Sequence, residues 1–143
     1  MQVSNILQRK GNEVISVSPR ETLHETAKIL RENKIGAVIV KEASGKMVGV
    51  ISERDLVIAI AKHGGDILGS RVSEFMTEGV YTCSLEDDVK TVMEKMTSRR
   101  IRHLPVVDGD NIVGIISIGD AVKQRLAETE AEAEALKAYI ATG

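Results

Sequence analysis

The sequence predicts a mixed α/β (α+β) fold, in which two β-α-β-β-α repeats pack sheet to sheet with pseudo-twofold symmetry and a long C-terminal helix follows. Three observations predict it. The stretch Gly114-Ile115-Ile116-Ser117-Ile118-Gly119-Asp120 has an upstream echo in Gly49-Val50-Ile51-Ser52-Glu53-Arg54-Asp55. In both copies a glycine opens a β-branched pair, a serine follows, and an aspartate comes three residues after the serine. A constant shift of 66 residues then carries Val14 to Val80, Ser18 to Ser84, Leu23 to Val89, Leu30 to Met96 and Ile35 to Ile101. Between Gly49 and Gly114 the shift is 65, so the second hairpin turn is one residue shorter, where length changes are tolerated. Finally, a unit of about 60 residues has a marginal core by itself, so two copies are expected to bury their apolar faces together.

Each element has a local reason. Val3-Ser4-Asn5-Ile6-Leu7 places Val3, Ile6 and Leu7 at helical spacing, a short helical turn, and the polar Gln8–Glu13 with Gly11 and Asn12 reads as a loop. Val14-Ile15-Ser16-Val17 alternates as a strand that Ser18-Pro19 stops. Two capping boxes compete next, Ser18 with Glu21 and Thr22 with Glu25; the apolar series Leu23, Ala27, Leu30 favours Thr22 as the helix start. Asn33-Lys34 close that helix, and Ile35–Val40 is a β-branched strand. A turn at residues 42–46 leads to the returning strand Met47–Ser52 and a hairpin. Glu53 and Asp55 then stand in the first turn of a helix, where the dipole favours carboxylates, and His63-Gly64-Gly65 ends it. The pattern restarts at Val72-Ser73-Glu74-Phe75-Met76, with Val80–Cys83 as the counterpart of the first strand. Residues 1–65 form the first repeat, 66–71 a linker, 72–125 the second repeat and 126–143 a helical extension. That extension is rich in Glu and Ala, strong helix formers, and ends with Leu136, Tyr139 and Ile140 on one small apolar face.

Composition narrows the function classes. Aromatic residues supply 2% of the chain against 43% apolar, so the core is built from Val, Ile, Leu, Met and Ala. A net charge of −2 with both signs mixed argues against a nucleic-acid partner. The single cysteine, Cys83, excludes an intramolecular disulfide and fits a reducing compartment. No apolar run approaches the ~18–20 residues of a membrane span, and Met1–Asn5 lacks the charged and apolar regions of a signal peptide. The expectation is a cytoplasmic protein with no membrane association.

Several fragments that suggest chemistry fail on spacing. His24-Glu25 starts like a zinc-protease helix, but residue 28 is Lys28 instead of histidine. Gly45-Lys46-Met47 lacks the upstream glycine and the Ser/Thr of a phosphate-binding P-loop. Asp87-Asp88 reads as a helix cap, Met93 and Met96 as core filling, and His103 as a packing residue. No nucleophile–base pair, metal cluster or catalytic dyad stands out, so an enzyme is not expected.

Two β-α-β-β-α units that each end in Gly-(β-branched)-(β-branched)-Ser-x-x-Asp resemble a tandem pair of CBS domains, a Bateman module. The segments Val72–Thr77 and Ile101-Arg102-His103-Leu104-Pro105-Val106-Val107-Asp108 strengthen the resemblance, which covers residues 2–125. The extension resembles that of small stand-alone bacterial members. The resemblance implies adenosine-nucleotide binding in clefts between the repeats: AMP first, with ADP, ATP and NAD(H) as the wider set. It implies that Asp55 and Asp120 hold ribose hydroxyls, with Ser52 and Ser117 towards the ribose or phosphate. It points to Arg100, and Lys34 in the matching place, as phosphate contacts, and makes the Asp120 site better suited to a monophosphate. Val14 and Ile15 are expected around the base at the Asp120 site, and Thr77, Val80 and Thr82 at the Asp55 site. The same resemblance implies a homodimer, a disc of four repeats that signals through conformational change to a protein target. For each aspartate the plain alternative is a helix cap worth ~0.5–2 kcal/mol, and both roles can hold at once. For the whole chain the alternative is a module with empty clefts that recruits a partner through its dimer surface and C-terminal helix.

Overall fold

Helix α1 (Val3–Lys10) runs three residues beyond the short turn expected from Val3–Leu7. Gln8, Arg9 and Lys10 are good helix formers that lie on the solvent side, and Gly11, at φ 94°, ends the helix with its N–H donated to the Leu7 carbonyl. In the computed structural model, which describes residues 1–142, α1 belongs with the second half of the chain. Two compact units result: a central unit, Val14–Tyr81, and a terminal unit made of Met1–Glu13 and the chain from Thr82 onward.

The central unit contains β1 (Ser16–Val17), α2 (Leu23–Glu32), β2 (Ala37–Lys41), β3 (Met47–Ser52) and α3 (Glu53–His63). The terminal unit contains α1, β4 (Cys83–Ser84), α4 (Val89–Arg99), β5 (His103–Asp108), β6 (Asn111–Ser117) and α5 (Ile118–Thr142). Each has one three-stranded sheet: the short strand pairs parallel with the middle one, and the middle one pairs antiparallel with the last. The first strands are shorter than the expected Val14–Val17 and Val80–Cys83. Ladder pairing of β1 begins at Ser16, opposite Ile39, although the Ile39 N–H still reaches the Ile15 carbonyl at 3.3 Å. Thr22 is the cap of α2, its hydroxyl accepting from the Glu25 N–H at 3.1 Å. Asp88 caps α4 in the same way, accepting from Thr91, while Asp87 accepts from the Ser84 N–H at 2.9 Å. The linker expected at residues 66–71 is largely a 3-10 turn, Gly65–Gly69.

The sequence repeats and the compact units divide the chain differently. In the terminal unit Val3 and Ser4 donate their N–H groups to the carbonyls of Asp87 and Leu85, and Val89 donates to Met1. In the central unit the equivalent segment near residue 72 makes the same set: Val72 to Glu21, Ser73 to Pro19, and Leu23 to Ser70. The segment that opens each sequence repeat therefore completes the core of the other repeat's sheet. Val3, Ile6 and Leu7 are buried with Leu104, Val106 and Ile116; Val72 is buried with Leu23, Val38 and Ile51. Burial of this kind stabilises by about 25 cal/mol per Å² of apolar surface, which a separate short helix could not achieve. Met96 is fully buried in the terminal core with Met93 packed beside it, as core filling requires. No helix among the described residues is long and apolar enough to cross a membrane.

Candidate functional site

Each Ser-x-x-Asp motif stands at the turn from the last strand of a sheet into the following helix. Both turns are closed by reciprocal hydrogen bonds. The Ser52 N–H donates to Asp55 Oδ2 at 2.9 Å, and the Asp55 N–H donates to Ser52 Oγ at 3.2 Å. The Ser117 N–H donates to Asp120 Oδ2 at 2.8 Å, and the Asp120 N–H returns to Ser117 Oγ at 3.1 Å. These are capping boxes, so the cap role expected as the plain alternative is present at both aspartates. It leaves room for more. One oxygen of each carboxylate is taken up by the box, and the other is directed elsewhere. Asp55 Oδ1 accepts only a long contact from the Thr77 hydroxyl at 3.5 Å. At Asp120 the Lys10 ammonium and the Ser117 N–H both donate to Oδ2.

The basic residues named with these turns occupy a distinctive backbone position. Lys34 and Arg100 are the non-glycine residues at positive φ among the described residues, at 54° and 55°. Both sit where a helix closes in the left-handed conformation, usually a glycine position. Ile35 N–H bonds to the Leu30 carbonyl and Lys34 N–H to Arg31; likewise Ile101 bonds to Met96 and Arg100 to Thr97. Two residues further on, the Gly36 and Arg102 carbonyls accept the first helical N–H of α3 and α5, from Glu53 and Ile118. Lys34 and Arg100 therefore stand at the same end of their sheets as the aspartate turns.

The expected site residues divide between the units. Ser52, Asp55, Lys34, Thr77 and Val80 belong to the central unit, and so do Val14 and Ile15. Ser117, Asp120, Arg100 and Thr82 belong to the terminal unit. The hydrogen bonds bring together Ser52, Asp55 and Thr77 in one and Ser117 with Asp120 in the other. Thr77 is held by two main-chain bonds to Val50, at 2.8 and 3.0 Å. The Thr82 carbonyl is approached by Lys95 Nζ at 3.4 Å. Ile15 packs half-buried against the central core, and Val14 and Val80 are half-buried.

One residue was not expected. Lys10 Nζ donates to Asp120 Oδ2 at 2.7 Å and to the Ile115 carbonyl at 2.9 Å. Reading Gln8–Glu13 as a loop hid it; Gly11 as a helix stop, with Arg9 and Lys10 in the last turn, was the available signal. Burial pushes the Asp120 carboxyl up, but the Lys10 hydrogen bond, the Ser117 donors and the Lys10 charge outweigh that and hold it below the usual range. The pair is partly exposed, at 36% for Lys10 and 20% for Asp120, so it is worth at most about 1 kcal/mol. A carboxyl with a depressed folded pKa contributes stability above its unfolded value, near 3.9, and loses it as pH falls through the folded value. The urea midpoint of the protein is therefore expected to fall more steeply below about pH 4 than that of Lys10→Met. Equal acid dependence of the two would contradict the pairing.

Cys83 is a different case. Burial and the nearby Asp87 charge push its thiol up to about 12, despite Lys95, and its Sγ–H lies 3.7 Å from the Pro105 carbonyl. It is a core residue, with no thiolate at neutral pH. Among the described residues no group of three or more His, Cys, Asp or Glu side chains is placed to hold a metal ion.

Comparison with known proteins agrees with the fold. The CBS domain family matches at residues 3–62 and again at 72–127. A mitochondrial CBS domain-containing protein of Arabidopsis thaliana, CBSX3, is 30% identical over 99% of this chain and 72% of its own length. The crystal structure of a CBS-domain containing protein from Agrobacterium tumefaciens superposes with a TM-score of 0.86 at 43% identity, covering 87% of this chain and 99% of that one. The CBS domain pair of protein MJ0100, solved in complex with 5′-methylthioadenosine and S-adenosyl-L-methionine, gives 0.79 at 28% identity over 90% and 98%. With the family matched twice, once across each Ser-x-x-Asp turn, this chain belongs to the CBS domain family as a tandem pair of repeats.

Proposed function

We propose that the protein is a non-catalytic sensor of adenosine-containing ligands. The observation that carries this reading is the duplicated turn: a carboxylate at a helix start with one oxygen outside the capping box, and a basic residue in the left-handed conformation at the same end of the sheet. A carboxylate can accept from both vicinal hydroxyls of a ribose, and charge-assisted bonds of that kind are about twice as strong as neutral ones. Helix N-termini and Lys34 or Arg100 favour a phosphate beside it. The ligands of MJ0100 support the adenosine moiety as the common feature. AMP is the proposed nucleotide, with ADP, ATP and NAD(H) as longer forms of the same group. Val14 and Ile15 at one site, and Thr77, Val80 and Thr82 at the other, are proposed to flank the base. Ligand occupancy is proposed to shift the conformation of a cytoplasmic homodimer and so its engagement of a protein target.

The test is titration calorimetry with AMP, ADP, ATP and NADH on the wild type and on Asp55→Asn with Asp120→Asn. Asparagine keeps an acceptor for the capping box but loses the charge. Binding is expected in the wild type and at least about tenfold weaker in the double variant, with folding retained. No binding by any of the four, or binding untouched in the double variant, would overturn the reading. A second reading draws on α5, whose Leu126, Leu136, Tyr139 and Ile140 are exposed at 58–75%. It takes the protein as an interaction module, and is favoured if nucleotides never bind while truncation after Arg125 abolishes self-association.

A further inference from the structure

The two turns share a fold and differ in charge. A shift of 69 residues carries Leu7 to Met76, and these two side chains meet the equivalent glycines, Gly114 and Gly49. The same shift carries Arg9 and Lys10 to Glu78 and Gly79. In the central unit the matching segment is only a short 3-10 turn, Val72–Glu74, and Thr77 meets β3 through its main chain. Its N–H donates to Val50, and its neutral hydroxyl approaches Asp55. In the terminal unit α1 stays helical to Lys10, and one ammonium group fills both roles. It donates to the carbonyl of Ile115, the counterpart of Val50, and to Asp120. Two of its three N–H groups are used, and the third can donate to a ligand oxygen.

The approach to the middle strand repeats the contrast. Arg99-Arg100-Ile101-Arg102 in one unit stands where Asn33-Lys34-Ile35-Gly36 stands in the other. The segments joined at the Asp120 turn thus set Arg9, Lys10 and three arginines against one carboxylate. Those joined at the Asp55 turn set Lys34 and Arg54 against Glu53, Asp55 and Glu78. At physiological salt such charges act over about 8 Å, the size of a nucleoside.

Taking the two turns as the ribose sites proposed above, we infer that they sort adenosine ligands by charge. The Asp120 site takes anionic 5′-phosphates. Its carboxylate is neutralised by Lys10, so it reads the ribose without repelling phosphate or attracting a cation. The Asp55 site keeps an uncompensated carboxylate and takes neutral or cationic adenosyl compounds, thioethers and sulfonium ions. Lys10 is the specificity-determining residue.

Calorimetry on single-site proteins tests the assignment, with AMP, 5′-methylthioadenosine and S-adenosylmethionine as probes. Asp55→Asn, which leaves the Asp120 site, is expected to prefer AMP over S-adenosylmethionine by about tenfold or more; Asp120→Asn is expected to reverse the order. Adding Lys10→Met to Asp55→Asn is expected to weaken AMP about tenfold and to leave 5′-methylthioadenosine within about threefold, with Lys10→Arg restoring AMP binding. Thermal melts of every variant verify folding, and the arginine variant keeps the charge if methionine disturbs α1. The same ligand order at both sites, or an AMP preference unchanged by Lys10→Met, overturns the charge assignment alone. Failure of the wild type to bind any of the three overturns the adenosine reading and this assignment together.

Discussion

Gly49→Ala is expected to destabilise the protein by about 2–3 kcal/mol, while Gly114→Ala costs about 1 kcal/mol or less. The two glycines occupy equivalent places in β3 and β6, opposite Val40 and Val106, where each ladder shifts register. A methyl group at residue 49 would lie 2.8 Å from Met76 Sδ and 2.8 Å from the Thr77 carbonyl oxygen. The methionine can rotate away. The carbonyl cannot, because the Val50 N–H donates to it at 3.0 Å and the Thr77 N–H donates back at 2.8 Å. Relief requires breaking that bridge, and overpacking of this kind typically costs 1–3 kcal/mol. At residue 114 the atoms nearest to the methyl group would all belong to the Leu7 side chain, at 2.8 to 3.5 Å. A change of leucine rotamer absorbs most of that. Part of the remainder is offset because alanine lowers the entropy of the unfolded chain by about 0.4–1 kcal/mol relative to glycine. Urea unfolding of the two variants measures the difference; equal costs would show that the Thr77 bridge does not hold its carbonyl in place.

The second large effect separates stability from binding. Lys34→Gly and Arg100→Gly are expected to leave folding stability unchanged or to raise it by up to about 1 kcal/mol, since the left-handed conformation penalises every side chain with a Cβ. Glycine is the usual residue at this closure of a helix, and the bonds that form it are all main-chain. Both side chains are exposed, so little packing is lost. Affinity for a 5′-phosphate is expected to fall about tenfold or more at the Asp120 site in Arg100→Gly, the scale of one charge-assisted hydrogen bond, and to change little in Lys34→Gly, whose site takes uncharged or cationic ligands. Arg100→Lys should lose part of this, because the planar fork becomes a point charge. Urea unfolding and AMP calorimetry on the same preparations check both halves. An Arg100→Gly variant that is less stable, yet binds AMP as the wild type does, would make Arg100 structural.

The two effects bear on why the repeats are alike in fold and unlike in detail. Gly49 and Gly114 tolerate different neighbours because one faces a main-chain bridge and the other a side chain. Lys34 and Arg100 share the same strained position but differ in chemistry. The Lys10 pairing adds a cation at one turn that the other lacks. Repeats of the same topology can therefore present different charges.

Much of this was legible in the residues. Thr22 caps the helix that its spacing to Glu25 implies, and the cap role read at Asp88, Asp55 and Asp120 is completed with Thr91, Ser52 and Ser117, because a cap is completed within one turn. The hairpin strand Met47–Ser52 follows from the turn at residues 42–46 and the apolar run after it, and the helix from Glu53 to His63 from the carboxylates in its first turn and the glycine pair at its end. The repeat itself needed only the order of residues. The misjudged parts were the ends: Gln8–Lys10 are helix, and the first strands pair over two residues, because a partner strand decides where a ladder begins.

By itself the sequence determined the two-repeat architecture, the caps, the tandem CBS resemblance and the Ser-x-x-Asp turns, all of which depend on neighbours within a few positions or on self-similarity. The tertiary structure alone decided that α1 completes the second sheet's core, that Thr77 locks onto Val50, and that Lys10 reaches Asp120 across 110 positions. The physical reason is the same in each case. Burial and ion pairing between distant segments depend on which faces the folded chain brings together, and such contacts impose no period or spacing on the sequence. The aspartate turns were readable from their own residues; the charge each one presents was not.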